Sequence, residues 1–207
     1  MLWCATGAGV GAGPFHSQSN EAWFFHVPGL KIVYPSTSYD AKGLLCAAIE
    51  DPNPVMFFEH KALYRGVESD VPADYYTLEI GKANLVKQGD ELSIITYGAG
   101  VHWALKDAES FDADILDLRT LLPFDKDAIA ETVKKTRKVL VLHEDTLTGG
   151  IGAEIAAWIT ENLFEYLDAP VMRLASLDTP VPFAIPLENN FLPKSRLKEK
   201  LQQLASF

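Results

Sequence analysis

The spacing of apolar and polar positions changes several times along the chain, and each change marks an element. Residues 31–34, Lys-Ile-Val-Tyr, form a short apolar run ended by Pro35, as a strand requires. Ser38 offers a cap for a helix running to about Glu50, with Leu44, Leu45, Ala48 and Ile49 on one face. Asp51-Pro52-Asn53-Pro54 stops that helix, because proline cannot continue it, and Val55-Met56-Phe57-Phe58 reads as a buried strand. One strand–helix–strand unit is complete by His60. Before it, residues 20–25 predict a short helix capped by Asn20 or Ser19 and broken by Pro28-Gly29. The first 19 residues carry Gly7, Gly9, Gly11 and Gly13 followed by Pro14, and read as a loop from the middle of a domain.

Residues 61–78 show no sustained period and include Gly66, Pro72 and several charges, the mark of a connection between units. From Lys82 the alternation resumes. Residues 82–87 and 92–97 predict strands around a Gly89-Asp90 turn, and Gly98-Ala99-Gly100 leads into a helix through Val101, Ala104, Leu105 and Ala108. A strand follows at 115–118, a helix from Asp125 or Lys126 to Lys135, a strand at 139–143, a long amphipathic helix at 151–167 and a strand at 171–174. Two helical pieces follow Pro186 and Pro193. Strands alternating with helices imply an α/β fold in three layers, with mostly parallel sheets covered by helices on both faces.

Composition narrows the function classes. The 207 residues carry a net charge of −10, which argues against phosphate-rich partners such as nucleic acid or an anionic membrane. No apolar run reaches the roughly 20 residues of a membrane span, and the N-terminus lacks the basic-then-apolar order of a signal peptide. Cys4 and Cys46 are too few for a disulfide framework, so the cytoplasm is the expected compartment.

Several motifs resemble sites. Gly7-Ala8-Gly9-Val10-Gly11-Ala12 matches a loose dinucleotide fingerprint, but Pro14 and Phe15 follow where a helix N-terminus should hold the pyrophosphate. A flexible loop beside an interface or active site is the better reading. Thr148-Gly149-Gly150-Ile151-Gly152 precedes a long helix without a Gly-Lys-Ser/Thr, so it reads as a tight strand-to-helix turn. His143-Glu144-Asp145 ends a strand, where a general base is conceivable, yet no nucleophile or ligand pattern accompanies it. A structural or interface histidine fits better. His26, His60 and His102 show no partner spacing, and no zinc spacing occurs. The run Gly13-Pro14-Phe15-His16-Ser17-Gln18-Ser19-Asn20 is different. It puts the His16 imidazole beside two hydroxyls and an amide on one glycine-led loop, a set that is costly to bury and often functional.

That run resembles the beta subunit of the decarboxylase component of 2-oxo acid dehydrogenase complexes. The likeness continues through residues 28–36, 40–45, 50–60, 117–121, 143–145, 148–154 and 178–183, in order and over essentially the whole chain. Residues 49–65 look most like the branched-chain (2-oxoisovalerate) enzymes, with pyruvate enzymes close. The resemblance implies a pyrimidine-binding domain, partial here, over residues 1–65, a linker over 66–80 and a transketolase C-terminal domain over 81–207. It also implies thiamine diphosphate with Mg as cofactor in the intact enzyme. The family's Gly-Asp-Gly followed by an Asn-Asn pair is not among these residues, and its cofactor-activating glutamate belongs upstream of Gly7. By that likeness the chain alone is expected to be inactive. The activity implied is oxidative decarboxylation of a 2-oxo acid with acyl transfer to a lipoyl group. His16 would lie near the cofactor as proton donor in the acyl transfer, with Phe15, Ser17 and Gln18 beside cofactor or substrate. A monovalent cation, usually K, would be held by carbonyls at Ala48, Asp51 and Asn53, with Ile49 contributing. An Asp-Pro-Asn-Pro turn without an ion is the alternative there. The partners implied are an alpha subunit or alpha half, a second copy of the chain, and the acyltransferase component, whose binding domain would dock near the Phe207 carboxylate. Two rival readings remain. One is another thiamine-diphosphate enzyme such as transketolase or deoxyxylulose-phosphate synthase, against which the Phe-His-Ser-Gln-Ser run speaks. The other is a non-catalytic dimerisation or docking module.

Overall fold

A computed structural model describes residues 1–207. In chain order the elements are β1 (Leu2–Thr6), α1 (Gly13–His16), α2 (Glu21–Phe25), β2 (Lys31–Val33), α3 (Ser38–Glu50), β3 (Val55–His60) and α4 (Leu63–Gly66). Then follow β4 (Asn84–Lys87), β5 (Leu92–Thr96), α5 (Ala99–Asp107), β6 (Ala113–Asp117), β7 (Thr120–Leu122), α6 (Lys126–Thr136), β8 (Val139–Thr146) and α7 (Gly152–Leu163). β9 (Met172–Ser176), α8 (Ile185–Phe191) and α9 (Leu197–Ala205) complete the chain. The expected α/β class with mostly parallel sheets is what forms. One sheet has the order β1-β3-β2-β7 and the other β4-β6-β5-β8-β9, with only β7 and β4 antiparallel to their neighbours.

The period of two along each strand decides which layer each side chain joins. In the five-stranded sheet, Leu92, Ile94, Leu140 and Leu142 meet Ala104, Leu197, Leu201 and Leu204 of α5 and α9. The alternate residues Ile95, Val139 and Val141 meet Ile129 and Val133 of α6 and Ile155 and Ile159 of α7. In the four-stranded sheet, Val33, Val55 and Phe57 pack on Leu44 and Ala48 of α3. The opposite face, with Ile32, Tyr34, Met56 and Phe58, joins Ile95, Tyr97, Leu116 and Leu118 in the largest core cluster. The second unit therefore serves as the covering layer of the first sheet, and the carboxyl ends of both sets of strands meet at one junction.

Four expectations change. Residues 1–19 are not all loop: β1 pairs in parallel with β3 from Leu2↔Met56 to Thr6↔His60. β7, a three-residue strand, was not expected, and it crosses from the second unit to pair with β2. Thr37, not Ser38, caps α3, its hydroxyl accepting from the Asp40 amide at 3.1 Å. The long helix expected at 151–167 is α7 followed by one 3₁₀ turn, Phe164–Tyr166. No helix is long and apolar enough to cross a membrane.

Candidate active site

The glycine loop that follows β1 sits at that junction, and carboxylates of the second unit hold its backbone. Gly7, Gly9, Gly11 and Gly13 all have positive φ, between 59° and 95°. This conformation turns successive amides inward and favours glycine. Glu188 of α8, 2% exposed, accepts from Gly9 N at 2.9 Å and from Gly11 N at 3.1 and 3.3 Å. Glu144 of β8 accepts from Ala8 N at 2.7 Å and from the Ser19 hydroxyl at 3.2 Å. The dinucleotide-like glycine pattern therefore has its amides engaged by the chain's own carboxylates. Two of these glycines are also required by close approach. A Cβ at Gly7 would lie 2.4 Å from the His60 ring, and one at Gly13 2.4 Å from the Phe183 ring.

The loop ends in α1, whose short turn presents Phe15 and His16 outward. Phe15 is 81% exposed and touches Phe183, with ring centroids 6.0 Å apart. His16 is exposed, and its carbonyl accepts from the Lys61 ammonium. Ser17 is fully buried, its hydroxyl without a protein partner, and its amide donates to Gly13 O at 3.1 Å. Gln18 is half-buried, and its carbonyl accepts from the Thr6 hydroxyl at 2.8 Å. The backbone of the His-Ser-Gln run is thus anchored, while the imidazole faces solvent.

Beneath the loop lies a buried ionisable cluster of which the sequence showed little. His60 Nε2 meets Glu144 Oε2 at 2.5 Å, and the Ala62 amide donates to His60 Nδ1 at 3.3 Å. With Nδ1 accepting, Nε2 carries the hydrogen and donates to the carboxylate. Burial alone would push the Glu144 carboxyl up, but His60 and the Ala8 and Ser19 donors outweigh it and hold it below its ordinary value. Glu21, fully buried at the start of α2, accepts from the Tyr97 hydroxyl at 2.7 Å. Burial first, then the charge of Asp145, pushes Glu21 up to about 8. Asp145 is itself pushed up by burial and by Glu144, to about 6. His143, stacked on Tyr97, is held down to about 4 by burial and by the Arg173 charge, so it is neutral in the fold. Its buried ring fits the structural reading given to it. Gly150 and Gly152 of the strand-to-helix turn press on that ring, and a Cβ on either would lie within 2.6 Å of it. His60, by contrast, has a partner 84 residues away that no local spacing shows. His102 likewise reaches across the junction, its Nε2 2.7 Å from the Ser36 carbonyl.

The turn after α3 has different electrostatics. The Asp51 carboxylate accepts from the Lys31 ammonium and, at 2.9 Å, from both the amide and the side chain of Asn53. These contacts hold its pKa down to about 2. Ala48 is buried, while Ile49 and Asn53 are exposed. The turn brings Ala48, Asp51 and Asn53 together, with a lysine ammonium already on the one charged group.

Comparison with known proteins accounts for the two units. A model described as "Transketolase, pyrimidine binding domain" matches residues 1–67, and one described as "Transketolase, C-terminal domain" matches residues 81–196. The chain belongs to this transketolase domain family. It is similar to the 2-oxoisovalerate dehydrogenase subunit beta of Bacillus subtilis, 49% identical across 97% of this chain and 64% of that protein. It is also similar to the pyruvate dehydrogenase E1 component subunit beta of the same organism, 44% identical across 92% of this chain and 60% of that one. A third relative is the acetoin:2,6-dichlorophenolindophenol oxidoreductase subunit beta, 43% identical across 90% and 56%. The chain therefore spans between 56% and 64% of these relatives. A split-gene transketolase structure, described as an inactive beta4 tetramer, superposes with a TM-score of 0.77 over 99% of this chain and 66% of its own at 21% identity, which shows the shared fold.

Proposed function

We propose that the chain forms part of the beta side of a thiamine-diphosphate-dependent 2-oxo acid dehydrogenase and supplies its acyl-transfer histidine loop. The observation that carries this reading is His16, exposed beside exposed Phe15 on a turn whose flanks are anchored. An imidazole presented in this way suits proton transfer to a group that arrives from outside. The residues present fit one wall of a cofactor site. They include no Gly-Asp-Gly followed by an Asn-Asn pair to hold a magnesium diphosphate, so no step on the cofactor is assigned to them. When bound, the cofactor supplies the electron sink for decarboxylation. His16 delivers a proton to the lipoyl sulfur that leaves as the disulfide opens and the other sulfur is acylated. Phe15, Ser17 and Gln18 shape that position.

The remaining assignments belong to the same proposal. The division is 1–65, a linker over 66–80, and 81–207, supported by the lack of any helix or strand between α4 and β4. An alpha subunit, a second copy and an acyltransferase component are the partners. Exposed Phe183, Ile185 and Leu187 beside the loop support a protein contact there. Free thiols at Cys4 and Cys46 support a reducing, cytoplasmic setting. The carbonyl turn at Ala48, Asp51 and Asn53 is proposed to take a monovalent cation such as K, favoured by the negative end of α3. Replacing His16→Ala in the assembled enzyme tests the central assignment. Lipoyl acylation should fall roughly 10²- to 10⁴-fold, while calorimetric affinity for thiamine diphosphate with Mg stays within about twofold. Equal losses in both would refute the role.

A further inference from the structure

The anion receptor formed by the glycine loop is filled from within the chain. Amides at left-handed glycines make a concave site for negative charge, and here that charge is the Glu188 carboxylate, buried and reaching across from α8. The segment leading into α8 makes a second contact farther along the loop. The Phe183 ring fills the space a Cβ at Gly13 would take, and it packs against Phe15, the neighbour of His16. From Gly9 to Phe15 the loop thus follows α8 and its lead-in, while Glu144 fixes the flanks at Ala8 and Ser19.

We infer that Glu188 is a positioning residue for His16. Its carboxylate sets the path of the Gly9–Gly11 backbone and so fixes where α1 presents the imidazole. This rests on the reading of His16 as the proton donor. A carboxylate suits the task better than an amide, because both its oxygens accept and its bonds to amides are charge-assisted. Glutamine in its place keeps the size but turns an NH₂ group toward amide donors. Glu188 itself touches neither solvent nor a reacting group, so its effect on chemistry passes through the loop.

The test uses Glu188→Gln in the assembled enzyme, with Gly9→Ala as a second variant. Gly9→Ala strains the loop at φ +88° while leaving the Glu188 carboxylate chemically intact, and its Cβ would meet Ala62 Cβ only in ordinary contact at 3.9 Å. Hydrogen exchange of the peptide covering residues 7–13 should quicken roughly 10- to 100-fold in Glu188→Gln, the loss expected for charge-assisted bonds. Lipoyl acylation should fall roughly 10- to 100-fold in both variants, as for a misplaced catalytic group. Decarboxylation read with a dye acceptor, and cofactor affinity, should stay within about twofold. A merely structural role would lower all activities together. Unchanged exchange in Glu188→Gln overturns the inference. So does faster exchange with unchanged acylation, provided His16→Ala still loses acylation. If His16→Ala loses nothing, the reading of His16 fails first and takes this inference with it.

Discussion

Replacing Glu21→Gln should make the protein more stable near neutral pH, although it removes a hydrogen-bonded acid from the junction. Glu21 is fully buried, its Oε1 accepts from Tyr97 at 2.7 Å, and its Oε2 has no partner. Burial and the Asp145 charge raise its pKa from 4.5 to about 8. Between those two values the folded chain holds a proton that the unfolded chain has released. Stability from this group is therefore complete below pH 4.5 and declines as pH rises toward 8, by about 1.4 kcal/mol per pH unit. From pH 5.5 to 7.5 the loss is roughly 3 kcal/mol. Glutamine copies the protonated acid and has no such slope. Asp117, raised by burial to about 7, adds a decline of the same sign, and neutral His143, held near 4, adds the opposite one below pH 6.5. Both occur in the two proteins and cancel in the difference. Urea denaturation of wild type and Glu21→Gln at pH 5.5, 6.5 and 7.5 gives that difference directly. The two should agree to within about 1 kcal/mol at pH 5.5 and diverge by roughly 3 kcal/mol at pH 7.5, with the variant more stable. Parallel curves, or a variant weaker at every pH, would mean that Glu21 is ionised and paired in the fold.

The strand-to-helix turn gives a second prediction. Gly152→Ala would put a methyl 2.6 Å from the buried His143 ring. Such overpacking should cost about 1–3 kcal/mol, read as a Tm lowered by roughly 2–12 °C in thermal denaturation; an unchanged Tm would refute the contact. Titrating the chain alone with thiamine diphosphate and Mg should show no micromolar binding by calorimetry, and such binding would overturn the one-wall reading. Exchanging choline chloride for KCl at constant ionic strength should raise Tm by about 2–4 °C if the turn after α3 takes the ion. No change would leave Lys31 as its only cation.

Much of the fold is legible because burial imposes a local period. β5, β6 and β8 are buried on both faces around apolar centres, and Asp125 announces α6 by capping it through the Ala128 amide at 3.2 Å. β1 escaped because Leu2 and Trp3, on an edge strand, are each 61% exposed and set no inside-outside pattern. β7 has three residues, too few for a period, and its partner β2 lies in the first unit, 87 residues back from Thr120 to Val33. The histidine loop was visible from its residue types, whereas the groups that hold it were not. Glu144 is 136 residues from Ala8, and Glu188 is 177 residues from Gly11. Four glycines at every second position do signal an inward-facing row of amides. Nothing local names the carboxylate that fills it, because that choice is made by tertiary packing.

The most direct test is to supply the assembled enzyme with 2-oxoisovalerate or pyruvate and a lipoyl domain, then weigh the lipoyl domain by mass spectrometry. Wild type should add one acyl group, isobutyryl or acetyl according to the acid, and His16→Ala should add almost none in the same interval. A lipoyl domain left unmodified by wild type, with ketol transfer between sugar phosphates in its place, would contradict the account.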